Sequence, residues 1–195
     1  NINQRNFSSG TTSGQYIVDR FQDDGAGGTR TSSVQQFTPG SAPVAGYEAK
    51  QFMRTVTSGQ SAASDYQSFS QAIENVRTFA GQTVTVSFWA KATTGTPNIG
   101  ITLDQNFGSG GSASTQTSSA VQTITTSWAR YSFTITVPSI SGKTIGGDNN
   151  RLKLYIFVSA GATISGLGYP AVGVQNNTFD IWGVQVEAGS VATAF

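Results

Sequence analysis

Aromatic rings on otherwise polar strands are the side chains here best suited to chemistry with a ligand. Trp89 stands opposite an apolar stripe of Val84, Val86, Phe88 and Ala90, and Tyr155 and Phe157 stand opposite Leu152, Leu154, Ile156 and Val158. If those stripes face a core, these rings lie on the other face of a sheet. Sugars present apolar C–H faces that stack on Trp and Tyr rings, while neighbouring amides and hydroxyls take up the sugar hydroxyls. Trp182 and Tyr169 stand at a phase break and in a loop. Trp89, Tyr155 and Tyr169 are therefore the candidate ligand-binding residues. The competing reading for each ring is packing, because Trp is usually mostly buried and both faces of an inner strand are often covered. For any one ring, packing is the more frequent outcome. Trp128, just before Arg130 and Tyr131, reads as core or strand-edge packing.

Other chemistries find less support. The chain has neither cysteine nor histidine, which removes Cys-His zinc sites, thiol nucleophiles and the Ser-His-Asp triad. Paired carboxylates could serve glycoside hydrolysis, with Glu48, Glu74, Glu187 and the scattered aspartates as candidates. Carboxylates this sparse are read as single surface or turn residues, so the expectation is no enzyme and no catalytic residue. Asp23 and Asp24, beside Gly25, read as a turn. Ser141-Gly142-Lys143-Thr144 looks like the end of a phosphate-binding loop, but Val137 stands where that loop needs a glycine, so a turn between strands is the reading. Gly108-Ser109-Gly110-Gly111 lacks a following helix. Asn6-Phe7-Ser8 and Asn176-Asn177-Thr178 match the glycosylation sequon, relevant only in a eukaryotic secretory setting.

Positioning these residues requires strands. The hydrophobic period is two: Val84 to Lys91, Tyr131 to Val137 and Leu152 to Ser159 alternate throughout, and Ile99, Ile101 and Leu103 form a shorter version. Such alternation marks half-buried strands, and the Thr and aromatic enrichment agrees. Stretches 25–28, 93–97, 108–117, 138–150 and 161–177 read as turns or loops. The Gly, Ser and Thr run at 108–119 reads as a long mobile loop. One helical turn is expected around Glu74 to Phe79, stopped by Gly81. Phe179 and Ile181 share one parity while Val184 and Val186 share the other, so an extra residue near Gly183 is expected to form a bulge. Many strands between dense turn signals favour a sandwich over a parallel α/β sheet.

At 195 residues, one domain spanning 1–195 is the natural division, large enough to bury a core without disulfides or metals. Charged residues make up only 11%, well below the usual quarter, so Ser, Thr, Asn, Gln and Gly must supply the polar surface. A net charge of +1 gives no electrostatic footprint for nucleic acid or an anionic membrane. No segment approaches the roughly 18 apolar residues of a membrane helix. Asn1 is not an initiator and no signal peptide is visible, so the chain is expected to be a fragment or processed part of a larger protein.

Five spaced motifs carry a resemblance: Asn3-Gln4-Arg5, Tyr16 to Phe21, Gly81 to Lys91, Ser127 to Tyr131, and Phe179 to Gly189 with its Gly-Val-Gln-Val-Glu-Ala-Gly ending. In that order they resemble a bacteriophage tail-fibre or virion surface domain similar to jelly-roll carbohydrate-binding modules. The expected fold is therefore an all-β jelly-roll β-sandwich of two antiparallel sheets with little helix. The resemblance implies a virion structural protein of a tail or head fibre, on the extracellular virion surface. It would recognise host cell-surface glycan, contact other virion proteins and form a homotrimer in which Tyr155 and Phe157 find an interface. The alternatives are a carbohydrate-binding module of a secreted polysaccharide-degrading enzyme and a ligand-free capsid decoration or connector domain. Neither nucleic acid nor membrane insertion is implied. Asp19-Arg20 and Asp180 read as a structural ion pair or, because jelly-roll sugar-binding modules often carry one, as part of a structural calcium site. No cofactor is otherwise expected.

Overall fold

The computed structural model describes residues 9–18 and 20–195, together with all their side chains except those of Ser9 and Glu74. Asn3-Gln4-Arg5, the Asn6 sequon and Asp19 lie outside the described residues.

Among the described residues thirteen strands follow one another: β1 (Ser9–Gly10), β2 (Tyr16–Val18), β3 (Phe21–Ala26), β4 (Thr29–Gln36), β5 (Gln51–Ser58), β6 (Tyr66–Glu74), β7 (Thr83–Ala92), β8 (Asn98–Asn106), β9 (Thr115–Ser118), β10 (Gln122–Thr123), β11 (Ala129–Thr136), β12 (Arg151–Ala160) and β13 (Thr178–Ala188). The first sheet runs β1-β4-β5-β13-β7-β11. The second runs β10-β8-β12-β6-β3-β2, with β9 also paired to β8. Pairing is antiparallel throughout. The all-β sandwich expected from the alternation is what forms.

The alternating stripes meet face to face between the sheets. Val84, Val86, Phe88, Phe179 and Ile181 of the first sheet pack against Ile99, Ile101, Leu152, Leu154 and Ile156 of the second, all fully buried. Burying a side chain of this size is worth about 1.5–3 kcal/mol, so this layer dominates the driving force. One end of the interior is polar. Asp23 is fully buried there and accepts hydrogen bonds from Arg30 Nε (3.0 Å), Ser32 Oγ (2.7 Å) and Gln67 Nε2 (2.5 Å).

The expected bulge is present. The pairing of β13 with β7 shifts register between Trp182 and Gln185, and Gly183 adopts φ +67°, a backbone that favours glycine. Other expectations are corrected. Asp23 and Asp24 lie within β3, and only Gly27 and Gly28 remain between β3 and β4. The helical turn at Glu74 to Phe79 does not form: β6 runs through Glu74, and Asn75 and Phe79 have φ of 68° and 59°, which no right-handed helix accommodates. The one helix among the described residues, α1 (Ala162–Gly166), sits instead inside the stretch read as a loop. The Gly-Ser-Thr run contains β9, and its loop is tied down where Ser112 N–H donates to Thr144 O (2.9 Å) and Gly146 N–H to Phe107 O (2.8 Å). Ser141 to Thr144 lies in a turn, as expected.

Candidate functional site

The outer face of the second sheet is built from the residues that alternate with its core stripes. On β12 these are Lys153, Tyr155 and Phe157. Register places Thr102 beside Tyr155 and Asp104 beside Lys153 on β8, and Ser70 beside Tyr155 on β6. On β9, Gln116 stands opposite Asp104 and Ser118 opposite Thr102. The segment after α1 folds back onto this face: Ser118 Oγ donates to Gly168 O (2.6 Å) and Gln116 Nε2 to the Tyr169 hydroxyl (3.4 Å).

The result is an aromatic patch. Tyr155 lies 5.9 Å from Phe157 and 6.0 Å from Tyr169, measured between ring centroids, and Phe157 lies 5.0 Å from Tyr169 and 6.4 Å from Tyr66. Phe157 is buried and floors the patch, while Tyr66, Tyr155 and Tyr169 are half-buried around it. Phe157 therefore needs no partner subunit to cover it, contrary to the interface expected of it. Burial raises the phenol pKa of all three tyrosines, that of Tyr169 to about 12, with Asp24 adding to the rise at Tyr66 and Tyr155. All three remain neutral hydroxyl donors across the physiological range.

Charged groups border the rings. Lys153 Nζ lies 4.6 Å from the Tyr155 centroid and 3.1 Å from Asp24 Oδ2, and the Ser70 hydroxyl donates to the same carboxylate. Asp104 is 7% exposed, and its Oδ1 has no hydrogen-bond partner. Burial lifts its carboxyl pKa above the ordinary value, with Lys153 and Arg151 pulling it back. A buried acceptor without a donor is costly, and with Tyr155 and Tyr169 within its electrostatic reach it is poised to receive a hydroxyl.

Two of the three candidate residues thus come together, Tyr155 and Tyr169. Trp89 does not join them. It lies on the outer face of the first sheet, in register with Trp182 and Arg130, half-buried and with its Nε1 unpartnered. That face carries a separate cluster in which Trp128 packs on Phe37 and Phe52 (5.6 and 5.4 Å), in keeping with a packing role. Asp180 accepts from Arg54 Nε (2.7 Å) and Nη2 (2.8 Å), with Lys91 Nζ at 3.8 Å. It is an ion-pair residue, but its partners are Arg54 and Lys91. With both oxygens taken by Arg54 and Lys91 close by, it does not fit calcium, and among the described residues no group of three or more acidic residues could hold a metal. Glu187 accepts from Thr193 and Glu48 from Gly40 N–H.

Tyr66, Lys153 and Asp104 were not singled out from the sequence, and Asp24 was read only as a turn residue. Tyr66, Ser68 and Ser70 alternate with Gln67, Phe69 and Gln71, a period-two signal hidden because both faces carry polar residues.

Gly100 holds Tyr169 in place indirectly. A Cβ built there would lie 2.6 Å from Pro170 Cβ, so only glycine lets the 168–173 segment approach β8. Gly100→Ala is expected to displace Tyr169 and to cost about 1–3 kcal/mol through overpacking. Denaturant unfolding together with the ring resonances of Tyr169 would check both, and an unchanged Tyr169 environment would refute the account.

A family model described as a carbohydrate binding domain matches residues 2–162. No curated protein matches the chain. Among solved structures, the chain is similar to the family 11 carbohydrate-binding module from Clostridium thermocellum (TM-score 0.53, 9% identity, covering 96% of this chain and 99% of that one). It is also similar to the CBM22-1 xylan-binding domain from Paenibacillus barcinonensis Xyn10C (TM-score 0.51, 12% identity, 94% of each chain). A third is the C-terminal family 22 module of Clostridium thermocellum Xyn10B (TM-score 0.51, 17% identity, 88% of each chain). At these identities the structures speak to the jelly-roll fold alone, whereas the family model covers most of the sequence, and the chain belongs to the carbohydrate binding domain family.

Proposed function

We propose that the chain binds an uncharged polysaccharide along the outer face of the second sheet, with Tyr155 and Tyr169 stacking on sugar rings and Asp104, Lys153 and Gln116 meeting hydroxyls. The observation that carries this is the unpartnered, buried Asp104 Oδ1 beside the tyrosine patch. Neutral phenols and a paired Asp24–Lys153 suit hydroxyl recognition without ionic steering. The similar Paenibacillus module is described as xylan-binding and the Clostridium family 11 module is seen with a β-1,3-1,4-mixed-linked tetrasaccharide, so xylan and mixed-linkage β-glucan are the first probes. Retardation in affinity gels containing either polymer, or another neutral glycan of a broad panel, is the expected result. A folded protein retarded by none of them would sink the proposal.

The role is binding without catalysis, and the family match favours a module of a polysaccharide-degrading enzyme over a virion fibre domain. The virion setting, its homotrimer and its host glycan rest on the Gly183–Gly189 ending and the other spaced motifs. Native mass measurement at micromolar concentration tests the trimer, and a monomer would remove that support.

Asp104 yields a prediction of opposite signs. A raised folded pKa means the fold holds this proton more tightly than the unfolded chain does. That stabilising contribution is complete below the ordinary value of 3.8 and is lost as pH rises through the folded value. At neutral pH the bare carboxylate is a burden to the fold, so Asp104→Asn is expected to stabilise it by about 1 kcal/mol. The same change removes a charged acceptor, whose bonds are about twice as strong as neutral ones, and is expected to weaken glycan binding several-fold. Thermal melts and affinity gels on one preparation measure both effects.

A further inference from the structure

We propose a second carbohydrate-binding site at the β13 bulge, in a cavity of about 410 Å3 bounded by Phe21, Tyr47, Glu48, Gln51, Trp182 and Phe195, which takes the end of a neutral sugar chain. It rests on reading the chain as a carbohydrate binder, but shares no residue with the tyrosine patch. Its volume falls within the roughly 300–1,000 Å3 of small-molecule sites.

Three rings from distant segments converge there at steep angles. Trp182 lies 4.5 Å from Phe195 and 5.7 Å from Tyr47, and Tyr47 meets Phe195 edge-on at 5.5 Å and 90°. A corner of this kind gives an angled aromatic wall against which the end of a chain can rest, whereas the second sheet offers an open surface across which a chain can run. Tyr47 is 50% exposed and Phe195 42%, a large aromatic surface left in water beside the almost fully covered Trp182. The bulge helps shape the corner, because a Cβ at Gly183 would strike Phe195 Cε2 at 2.9 Å.

The polar groups on the rim suit hydroxyls. Glu48 Oε2 accepts from Gly40 N–H at 3.1 Å, which orients the carboxylate, and its other oxygen is unengaged among the described residues. Gln51 adds an amide donor and acceptor. Lys50 also lines the cavity and balances the Glu48 charge, so the pocket favours a neutral sugar over an anionic one.

The placement of the tryptophans provides the test. Trp89, Trp128 and Trp182, the only three in the chain, lie on the side of the first sheet, while the tyrosine patch contains none. Titrating 15N-labelled protein with cellobiose, xylobiose, galactobiose and mannobiose up to about 10 mM brackets a Kd of about 1 mM, or roughly −4 kcal/mol. The expected result is a saturable shift of the Trp182 indole and Tyr47 amide signals with at least one disaccharide. It should persist in the Tyr155→Ala/Tyr169→Ala variant and be lost in Tyr47→Ala, whose half-exposed ring can be removed without unfolding. Glu48→Gln should weaken it several-fold. Shifts confined to the tyrosine patch, or no shift at Trp182 and Tyr47 with any of the four, overturn the second site and leave the first standing. Polysaccharide binding that survives Tyr155→Ala/Tyr169→Ala but fails in Tyr47→Ala would support the second site while removing the first.

Discussion

Tyr155→Ala is expected to weaken polysaccharide binding by about 10- to 100-fold, equivalent to roughly 1.4–2.8 kcal/mol and in the range of aromatic hot spots at other interfaces. The ring sits on β12, the strand held between β8 and β6, so its position is fixed by ladders on both sides. Phe157 and Tyr169 pack against it, and the Lys153 ammonium lies 4.6 Å from its centroid. A platform locked in this way loses little side-chain entropy when a sugar stacks on it, which is why a Tyr can return much of its contact area as affinity. Removing the ring also leaves Lys153 without its aromatic partner. Tyr155→Phe separates stacking from hydroxyl donation and should cost only a few-fold, near the worth of one neutral hydrogen bond. Because burial raises the pKa of both phenols, neither should lose its proton between pH 7 and 10, and binding should not fall there on their account. Trp89→Phe, on the other sheet, should leave this binding unchanged. Affinity electrophoresis or calorimetry of the four proteins decides the matter, and equal affinities for wild type and Tyr155→Ala would refute the site.

That Trp89 and Tyr155 end on different sheets shows where sequence reading stops. Parity along a strand tells which face a side chain occupies. It says nothing about which sheet the strand joins, and β7 and β12 are separated by pairings that only the whole fold determines. β7, β11 and β12 were legible because one face of each is apolar and the other mostly polar. The bulge in β13 was legible because Phe179 and Ile181 fall out of phase with Val184 and Val186, with Gly183 between them. β5 was not, because Phe52 and Met53 are adjacent and both buried: Met53 enters the core while Phe52 lies under Phe37 and Trp128. Covering both faces of a strand erases its alternation. β3 was hidden for a different reason, since its inward residues include an aspartate and a glycine, composition that elsewhere marks a turn.

That aspartate carries the largest stability effect expected. Asp23 and Asp24 are neighbours on β3, so their side chains point to opposite faces. Asp24 turns outward to Lys153 and Ser70 at the tyrosine patch. Asp23 turns inward and bridges the sheets, accepting from Arg30 and Ser32 of β4 in the first sheet and from Gln67 of β6 in the second, with Thr55 of β5 completing the chain through Ser32 at 3.0 Å. Asp23 is fully buried and the Arg30 side chain only 12% exposed, so water cannot replace the lost carboxylate. Removing one member of a buried ion pair typically costs about 3–5 kcal/mol, a large share of the roughly 5–15 kcal/mol that holds a domain folded. For a chain of this length each kcal/mol moves the melting temperature by about 2–4 °C, so Asp23→Ala should lower it by about 6–20 °C. Asp24→Ala should cost less stability, because its carboxylate lies at the surface of the patch, but should disturb glycan binding by freeing Lys153. The two variants differ by one position in sequence and should separate stability from recognition. If calorimetry found Asp23→Ala melting with wild type, the polar seam would not be what joins the sheets at that end.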